Sequence, residues 1–239
     1  DLPHLTPRTL GVKPDFTVID KPLAQRVHQV LRLQVGDTVE FFTGEVVITV
    51  CLTKSADSKK MVSGTVTGFY EVDPRPRSMS AVIGLLKKDA FEAAGYSAAQ
   101  MGCDTITPML TAKSRQKYMN DREPERLQSI IIAACEQSKN PHIPKLAAPI
   151  TLDQALNRYK KQTIVCFDAD GVSLPELTTA LTANSTNVCV LIGPEGGLVP
   201  DELSAIADAG AVTARLTRTI LRSRDAACLG LGMVSSVVL

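Results

Sequence analysis

Aromatic residues, histidines and paired cysteines are scarce in this 239-residue chain, and each scarcity argues against a class of function. There is no Trp, with only six Phe and four Tyr, so a broad surface of aromatic side chains stacking on nucleic-acid bases is not expected. Only three histidines occur, far apart, and no C-x-x-C pair is present, which argues against a structural metal site. The six cysteines are spread along the chain, several inside apolar runs, which predicts buried free thiols instead of a disulfide framework.

The chain also lacks a long apolar run and a recognisable targeting segment. No stretch reaches the roughly eighteen uncharged apolar residues that a membrane-spanning helix needs, so no membrane association is expected. The first residues, Asp1 to His4, are typical of neither a signal peptide nor an Arg-rich transit peptide. We therefore expect a cytoplasmic protein, and an organellar location stays open because the chain does not begin with Met.

The charge of the chain is nearly balanced but unevenly distributed. The formal net charge is +1, yet residues 78–161 carry twelve Lys and Arg against eight Asp and Glu. An excess of this size is equally typical of a solvated face and of a surface that contacts RNA phosphates.

The first seventy or so residues are predicted to be mainly β structure. Short β-branched segments at 39–44, 46–50 and 62–67 are typical of strands. One helix is predicted over 24–32, where helical spacing places Val27, Val30 and Leu31 on one face. Short strands around a single helix predict a small β-barrel.

A domain boundary is predicted at Asp73 to Ser78, where two prolines with basic neighbours favour an extended connector. After it, strands are predicted at 81–86, 105–110, 163–167, 187–192 and 212–216. Helices are predicted at 89–101, at 125–138, from about 200, and at 224–238. This alternation predicts an α/β domain with a mostly parallel sheet that helices cover on both faces.

The most informative segment runs from Asn187 to Leu203. An apolar strand leads into the loop Gly193-Pro194-Glu195-Gly196-Gly197, and a helix follows from near Pro200. The three glycines of this loop have no Cβ atom, so the backbone can approach a ligand closely. The carboxyl ends of strands are where open α/β sheets bind ligands. A second loop, 217–223, follows the next strand and is expected to lie beside the first.

These two loops resemble those of the bacterial small-subunit ribosomal RNA (uridine-N3)-methyltransferase family, often called RsmE, within the SPOUT superfamily. The loops of that family follow the patterns L-I-G-P-E-G-G-(x)3-D/E-E and L-G-x-x-I-L-R-x-E-T-A, which correspond to Leu191 to Glu202 and Leu216 to Ala226. Further blocks resemble the family in the same order, at His28 to Arg32, Leu85 to Asp89, Met101 to Pro108 and Ala133 to Pro144. The resemblance therefore covers nearly the whole chain.

The resemblance implies a fold and an activity. Residues 1–73 would form a PUA-like, RNA-binding β-barrel, and residues 78–239 a SPOUT-type α/β methyltransferase domain with a C-terminal trefoil knot. The implied reaction moves a methyl group from S-adenosyl-L-methionine to N3 of a uridine in small-subunit ribosomal RNA. The implied assembly is a homodimer through the knotted domain, and no metal takes part.

Site residues are implied by the same resemblance. The cofactor-binding residues would be Leu191, Ile192, Gly193, Pro194, Glu195, Gly196, Gly197, Leu216, Thr217, Ile220, Leu221 and Arg222. We expect Arg222 to be catalytic too, since its guanidinium would stabilise the charge on a uracil that has lost its N3 proton. A phosphate contact or a structural ion pair is the alternative role for Arg222, and a structural role is favoured for Glu195. Candidate contacts to RNA phosphates are Arg26, Arg32, Lys87, Arg115, Lys139 and Lys145.

The second loop departs from the family pattern. Thr217 stands in place of Gly, and Arg224-Asp225 in place of Glu-Thr, so that Arg224 reverses a charge. These departures leave two alternatives open: a knotted methyltransferase that acts on transfer RNA or another ribosomal position, and an RNA-binding ribosome-assembly protein that no longer transfers methyl groups. A nucleotide-dependent oxidoreductase is disfavoured, because no G-x-G-x-x-G loop is present.

Overall fold

The computed structural model describes residues 15–53, 61–114, 122–183 and 186–239. The chain divides into two compact units, residues 1–73 and 74–239.

The N-terminal unit contains a four-stranded antiparallel sheet in the order β1-β4-β3-β2. The strands are β1 Asp15–Ile19, β2 Thr38–Phe42, β3 Val46–Leu52 and β4 Met61–Glu71. β2, β3 and β4 confirm the strands predicted in this region, and β1 had not been predicted. The core of the sheet includes Ile48, Val50 and Leu52 from alternate positions of β3, packed with Val62 and Val66 of β4.

The helical segment of this unit differs from its prediction. It consists of α1, Lys21–Gln25, followed by a π-helical turn, Arg26–Val30. Val27 is buried, whereas Val30 and Leu31 are 70% and 51% exposed, so the prediction that these three residues share one face was wrong. The Leu31 N–H donates to the carbonyl of Arg26 five residues back, at 2.9 Å. The wider π turn rotates the following side chains away from the face that Val27 occupies.

The C-terminal unit is built on a parallel sheet in the order β11-β9-β10-β5-β6-β7, with β8 paired to β6. Its strands are β5 Met79–Gly84, β6 Thr105–Leu110, β7 Lys145–Leu146, β8 Ile150–Thr151, β9 Thr163–Val172, β10 Val188–Ile192 and β11 Val212–Ala214. Every strand pair recorded in this sheet is parallel, which confirms the predicted sheet type.

Helices cover both faces of this sheet, as predicted. They are α2 Lys88–Gln100, α3 Glu123–Ser138, α4 Leu152–Tyr159, α5 Leu174–Ala183, α6 Pro200–Asp208 and α7 Ser223–Val238. α4 and α6 contribute to one core with Val82, Cys166 and Leu191. α7 packs on the other face with α2, where the Phe167 ring fills the space beside Gly230. Because both faces are covered, all five residues of β10 are buried. Within the described ranges, no helix is long and apolar enough to cross a membrane.

The strand order identifies where a ligand site is expected. The chain leaves β5 towards β6 on one side, and it leaves β10 towards β11 on the other side. The two neighbouring strands β5 and β10 therefore form a switch point, where loops diverge at the carboxyl edge and open a crevice.

Candidate functional site

The Gly-rich loop, residues 193–199, makes a tight turn directly after β10. The Gly197 N–H donates to the carbonyl of Pro194 at 2.9 Å, and Gly197 itself has φ +71°, a conformation that glycine adopts without strain. The loop also lies against the end of β5, since a Cβ atom on Gly84 would come within 2.6 Å of the Pro194 nitrogen. Gly84, the last residue of β5, thus lets the Gly-rich loop pack closely against the end of that strand.

Two glutamates tie the Gly-rich loop to its neighbours. The Glu195 carboxylate accepts a hydrogen bond from the Lys87 N–H, in the loop after β5, at 3.0 Å. The Glu202 carboxylate accepts from the Ala112 N–H, in the loop after β6, at 2.7 Å, and from the Val199 N–H at 2.9 Å. The Val199 bond also satisfies a backbone donor at the start of α6. The Gly-rich loop is therefore held by the loops after β5 and β6, which lie on one side of β10, and the bond at Glu195 supports a structural role for that residue.

The second loop connects β11 to α7 and comprises residues 215–222 in the structure, since β11 ends at Ala214 and Ser223 already belongs to α7. It is anchored at its start, where the Arg215 N–H donates to the carbonyl of Val172 at 2.9 Å. The Thr217 hydroxyl donates to the carbonyl of Thr219 within the loop. Farther along, the Ile220 side chain is 92% exposed. Thr217 is not among the described residues with positive φ, so its replacement of the family's Gly requires no backbone strain.

The two loops enclose a first cavity of about 390 Å³ beside the ends of β9 and β10. This volume lies within the usual range for small-molecule sites. Ten of the predicted cofactor residues line it: Ile192, Gly193, Pro194, Glu195, Gly196, Gly197, Leu216, Thr217, Ile220 and Leu221. The other two do not. Leu191 is buried in the hydrophobic core, and Arg222 lines an adjoining cavity.

Several residues that line the first cavity were missed by the sequence analysis. Asp168 and Ala169 belong to β9, and Ser223 and Ala226 to the first turn of α7. Asp168 is the most informative, because it places a carboxylate directly after the buried run 164–167 at the carboxyl edge of the sheet. An acidic residue directly after an apolar run, in the strand beside the one that leads into the Gly-rich loop, was a signal that could have indicated Asp168.

A second cavity of about 630 Å³ adjoins the first. The two cavities share Glu195, Ile220, Leu221 and Ser223. The remaining walls of the second cavity come from the starts of α2 and α7, through Lys87, Asp89, Ala90, Arg222 and Arg224. The structure thus brings together the predicted catalytic Arg222 and one of the predicted RNA contacts, Lys87.

The other predicted RNA contacts are distributed over both units. Lys139 caps the carboxyl end of α3, and Lys145 pairs with Thr105 at the start of β6, so both lie at the amino edge of the sheet, away from the cavities. Arg26 and Arg32 are exposed on the N-terminal unit. Arg115 lies outside the described residues.

The buried cysteines do not contribute nucleophiles to the site. Burial raises the pKa of the Cys166 thiol to about 12 and holds that of Cys189 well above its ordinary value, so both thiols stay protonated near neutral pH. Cys103 and Cys135 are buried as well, but Cys51 is half-buried and Cys228 is exposed, so the prediction of buried thiols was wrong for these two. Among the residues that the structure describes, no group of three or more His, Cys, Asp and Glu side chains could hold a metal ion.

Comparison with known proteins relates this geometry to a family. The family model described as "RNA methyltransferase domain" matches residues 73–235. The chain is 26% identical over 225 residues to ribosomal RNA small subunit methyltransferase E of Mycobacterium bovis, covering 91% of this chain and 85% of that protein. It is 22% identical to the protein of the same name from Bacillus subtilis, over 97% of this chain and 94% of that one.

Two solved structures share the fold. A ribosomal RNA small subunit methyltransferase E from Neisseria gonorrhoeae, bound to S-adenosyl methionine, superposes with a TM-score of 0.82 at 20% identity, over 95% of this chain and 93% of that one. A protein from Legionella pneumophila, in complex with the bound cofactor SAM, superposes with a TM-score of 0.81 at 24% identity, over 94% of this chain and 92% of that one.

Proposed function

The chain belongs to the RNA methyltransferase domain family, and from that premise we propose that it is an S-adenosyl-L-methionine-dependent methyltransferase of small-subunit ribosomal RNA. The observation that carries this proposal is the enclosure of the first cavity by the Gly-rich loop and the second loop at the carboxyl edge of the sheet. Full-length relatives named for methylation of small-subunit ribosomal RNA support the substrate class.

The first cavity suits S-adenosyl-L-methionine. The glycines of the Gly-rich loop leave backbone groups accessible, and Leu198, Ile220 and Leu221 supply apolar walls for a purine ring. Asp168 offers a carboxylate that can accept hydrogen bonds from ribose hydroxyls or attract the positive sulfonium and amino groups. When bound, this cofactor supplies a methyl group attached to a positively charged sulfur. The sulfonium sulfur is already an activated leaving group, so no metal is needed.

The residues of the chain then have to position the acceptor and stabilise charge. Orienting an acceptor in line with the methyl group can contribute about 7–11 kcal/mol. N3 of uridine is a weakly acidic imide nitrogen that loses its proton to solvent, so negative charge spreads over the base. Arg222 lies on the wall of the second cavity, directly beside the first, where its guanidinium can stabilise that charge.

Finer features of the proposal come from the family resemblance. We expect N3 of a uridine to be the methylated atom, in the cytoplasm where bacterial-type ribosomal subunits assemble. The N-terminal unit would act as a PUA-like RNA-binding barrel, with Arg26 and Arg32 as exposed cations. We also expect a homodimer, which light scattering of the purified protein would detect.

A trefoil knot is expected in the C-terminal segment. β11 lies at the edge of the sheet, yet α7 packs on β5 and β10 near its centre. The second loop therefore crosses the carboxyl ends of the strands, which supports this expectation. A crystal structure traced through both loops would test whether that path passes beneath the Gly-rich loop.

Calorimetric titration with S-adenosyl-L-methionine tests the proposal first, with S-adenosylhomocysteine as a product control. We expect binding near micromolar, about −8 kcal/mol. Small ribosomal subunits that lack base methylation are then incubated with the protein and labelled cofactor, and the modified nucleotide is mapped by mass spectrometry. A labelled N3-methyluridine supports the proposal, whereas a folded protein that binds cofactor and labels no ribosomal RNA contradicts it.

One observation favours a second candidate, an RNA-binding ribosome-assembly protein without transferase activity. Arg224 places a positive charge where the family pattern has Glu, and it pairs with the neighbouring Asp225 at 3.2 Å. This candidate predicts RNA binding with no detectable affinity for S-adenosyl-L-methionine, alone or with RNA present. The same titration therefore separates the two functions.

A further inference from the structure

The second cavity has no assigned ligand, and its walls are of two kinds. Ala90, Ile220 and Leu221 form an apolar part next to the first cavity. Lys87, Arg222 and Arg224 contribute three cationic side chains around the rest. Asp89 and Glu195 are the acidic residues of the wall, and the Glu195 carboxylate is already hydrogen-bonded to the Lys87 N–H. The cavity therefore combines an uncharged region with a rim of positive charge.

Two helix amino termini reinforce this charge. α2 has 13 residues and begins after Lys87, and α7 has 16 residues and begins after Arg222. Both of these N-cap residues line the second cavity, and neither makes a side-chain capping bond. The positive ends of two helix dipoles therefore face one space, an arrangement that favours a bound anion.

Ser223 gives an independent indication of a ligand at the junction of the two cavities. It is only 9% exposed and lies on the wall of both cavities. Its hydroxyl makes no hydrogen bond to any residue that the structure describes. Ser223 is not among the described residues with a fully buried, unpartnered side-chain atom, so its hydroxyl faces the cavities, where a polar atom of a ligand can take the place of solvent.

We propose that the second cavity binds the acceptor nucleotide of the RNA, with its base at the Ser223 hydroxyl and its phosphate against Lys87 and Arg224. This inference rests on the proposed function, because it assigns the acceptor of that reaction to a place. A nucleotide turned out of its stack presents one planar, uncharged base and one phosphate, which match the apolar part and the cationic rim. The shared wall brings the base next to the first cavity, where the methyl donor would be held.

The assignment gives Arg224 a specific role. Arg224 is not a defect in the cofactor loop, because it lines the second cavity and is absent from the walls of the first. Its ion pair with Asp225 is exposed, with side chains 52% and 50% accessible, so the guanidinium can exchange that partner for a phosphate. The reversed charge then strengthens RNA binding in this chain instead of disabling the site.

The test measures RNA binding and methyl transfer separately on the full-length protein. Unmodified small-subunit ribosomal RNA is titrated in the presence of saturating S-adenosylhomocysteine, over a series of salt concentrations. The variants are Lys87→Ala, Arg224→Ala and, as a matched control, Arg158→Ala. Arg158 is an exposed cation on α4, which packs on the face of the sheet opposite α2 and α7.

We expect Lys87→Ala and Arg224→Ala each to weaken RNA binding on the order of tenfold and to lower the salt slope by about one. Arg158→Ala should change neither quantity. If the two variants bind RNA as the control does, the inference is overturned, whether or not the protein transfers methyl groups. If they weaken RNA binding but the wild type neither binds cofactor nor transfers methyl, the cavity assignment holds for an RNA-binding protein and the proposed reaction fails.

Ser223→Ala tests the position of the base. We expect a fall in the single-turnover rate of methyl transfer of about three- to tenfold, with an unchanged Kd for S-adenosylhomocysteine. A variant that transfers at the wild-type rate overturns the role of Ser223. So does a variant that loses affinity for S-adenosylhomocysteine to the same extent as rate, because the hydroxyl would then contact the donor.

Discussion

The two loops of the candidate site are held in place in different ways. The Gly-rich loop is fixed by two backbone–carboxylate hydrogen bonds: the Lys87 N–H donates to Glu195, and the Ala112 N–H donates to Glu202. The second loop is anchored at Arg215 and by one bond between Thr217 and Thr219, and its tip is open to solvent. The first loop contains no Lys or Arg, whereas residues 215–222 contain three arginines.

This difference shows where each loop's function resides. The Gly-rich loop works through its backbone, so its shape depends on missing Cβ atoms and on fixed hydrogen bonds. The second loop presents side chains, and the departures from the family pattern at Thr217 and Arg224 lie in or directly after it. Substitution at Arg224 can alter which RNA is bound without disturbing the cofactor cavity, because Arg224 lines only the second cavity. Four predictions test this division, from the largest expected effect to the smallest.

Arg222→Ala should reduce methyl transfer the most. Removing a group that stabilises charge in the transition state typically costs about 10²- to 10³-fold in rate. Cofactor affinity should hold, because Arg222 does not line the first cavity. Single-turnover assays and calorimetry measure the two effects. Arg218→Ala is the control, since Arg218 is exposed in the same loop and lines neither cavity. An unchanged rate in Arg222→Ala would show that this guanidinium does not take part.

Gly84→Ala should displace the Gly-rich loop. The new Cβ atom would lie 2.6 Å from the Pro194 nitrogen, and backbone cannot yield as a flexible side chain does. Such overpacking costs about 1–3 kcal/mol, and cofactor affinity should fall with the displaced loop.

Gly210→Ala is the matched control for this clash. Gly210 has φ +75° and nothing within 4 Å of a new Cβ atom, so alanine there strains the backbone only. Both variants should lower the melting temperature, and only Gly84→Ala should weaken cofactor binding. Equal cofactor affinity in the two would contradict the close contact of Gly84 with Pro194.

Glu202→Ala should loosen the Gly-rich loop by a smaller amount. The substitution removes the acceptor of the Ala112 and Val199 N–H groups. Losing the partner of a buried donor costs about 1–3 kcal/mol, with the lower end expected here because Ala112 is exposed and water can replace the carboxylate. Urea unfolding measures the change. Asp201→Ala, at an exposed neighbouring position, should leave the free energy of unfolding nearly unchanged. If the two variants lower the free energy of unfolding equally, the Glu202 hydrogen bonds do not stabilise the Gly-rich loop.

Thr217→Gly should have the smallest effect. It restores the residue of the family pattern but removes the hydroxyl bond to Thr219 and adds chain entropy, at roughly 0.5–1 kcal/mol. We therefore expect a slightly weaker Kd for S-adenosyl-L-methionine by calorimetry. A clearly tighter Kd would mean that Thr217 obstructs the cofactor and that the second loop, like the first, works through its backbone.

Some elements were predictable from sequence because their signals are local. The strands β5, β6 and β10 appear as short apolar runs, and the Gly-rich loop appears as three glycines between a strand and a Pro-initiated helix. The predicted helix face at Val30 and Leu31 was wrong because a π turn changes the angular spacing of side chains. No residue type in the segment indicates such a turn.

The candidate site was predictable only in part. Glycines and the Ile-Leu-Arg segment marked both loops, yet Asp168 and Ser223 were missed, since an acid within a strand and a serine in the first turn of a helix are ordinary features. Lys139 and Lys145 were grouped with Lys87 by composition, but the fold separates them to opposite edges of the sheet.

The sequence by itself determined most of the strands and helices, the Gly-rich turn and the family, because periodicity, turn residues and motif spacing are properties of neighbouring residues. Only the tertiary structure decided which side chains meet. The strand order places β10 between β9 and β5, so Asp168, Glu195 and Lys87 come together from segments far apart in sequence. Parallel strands share one carboxyl edge, and long-range packing of their crossover helices sets the order of strands along it.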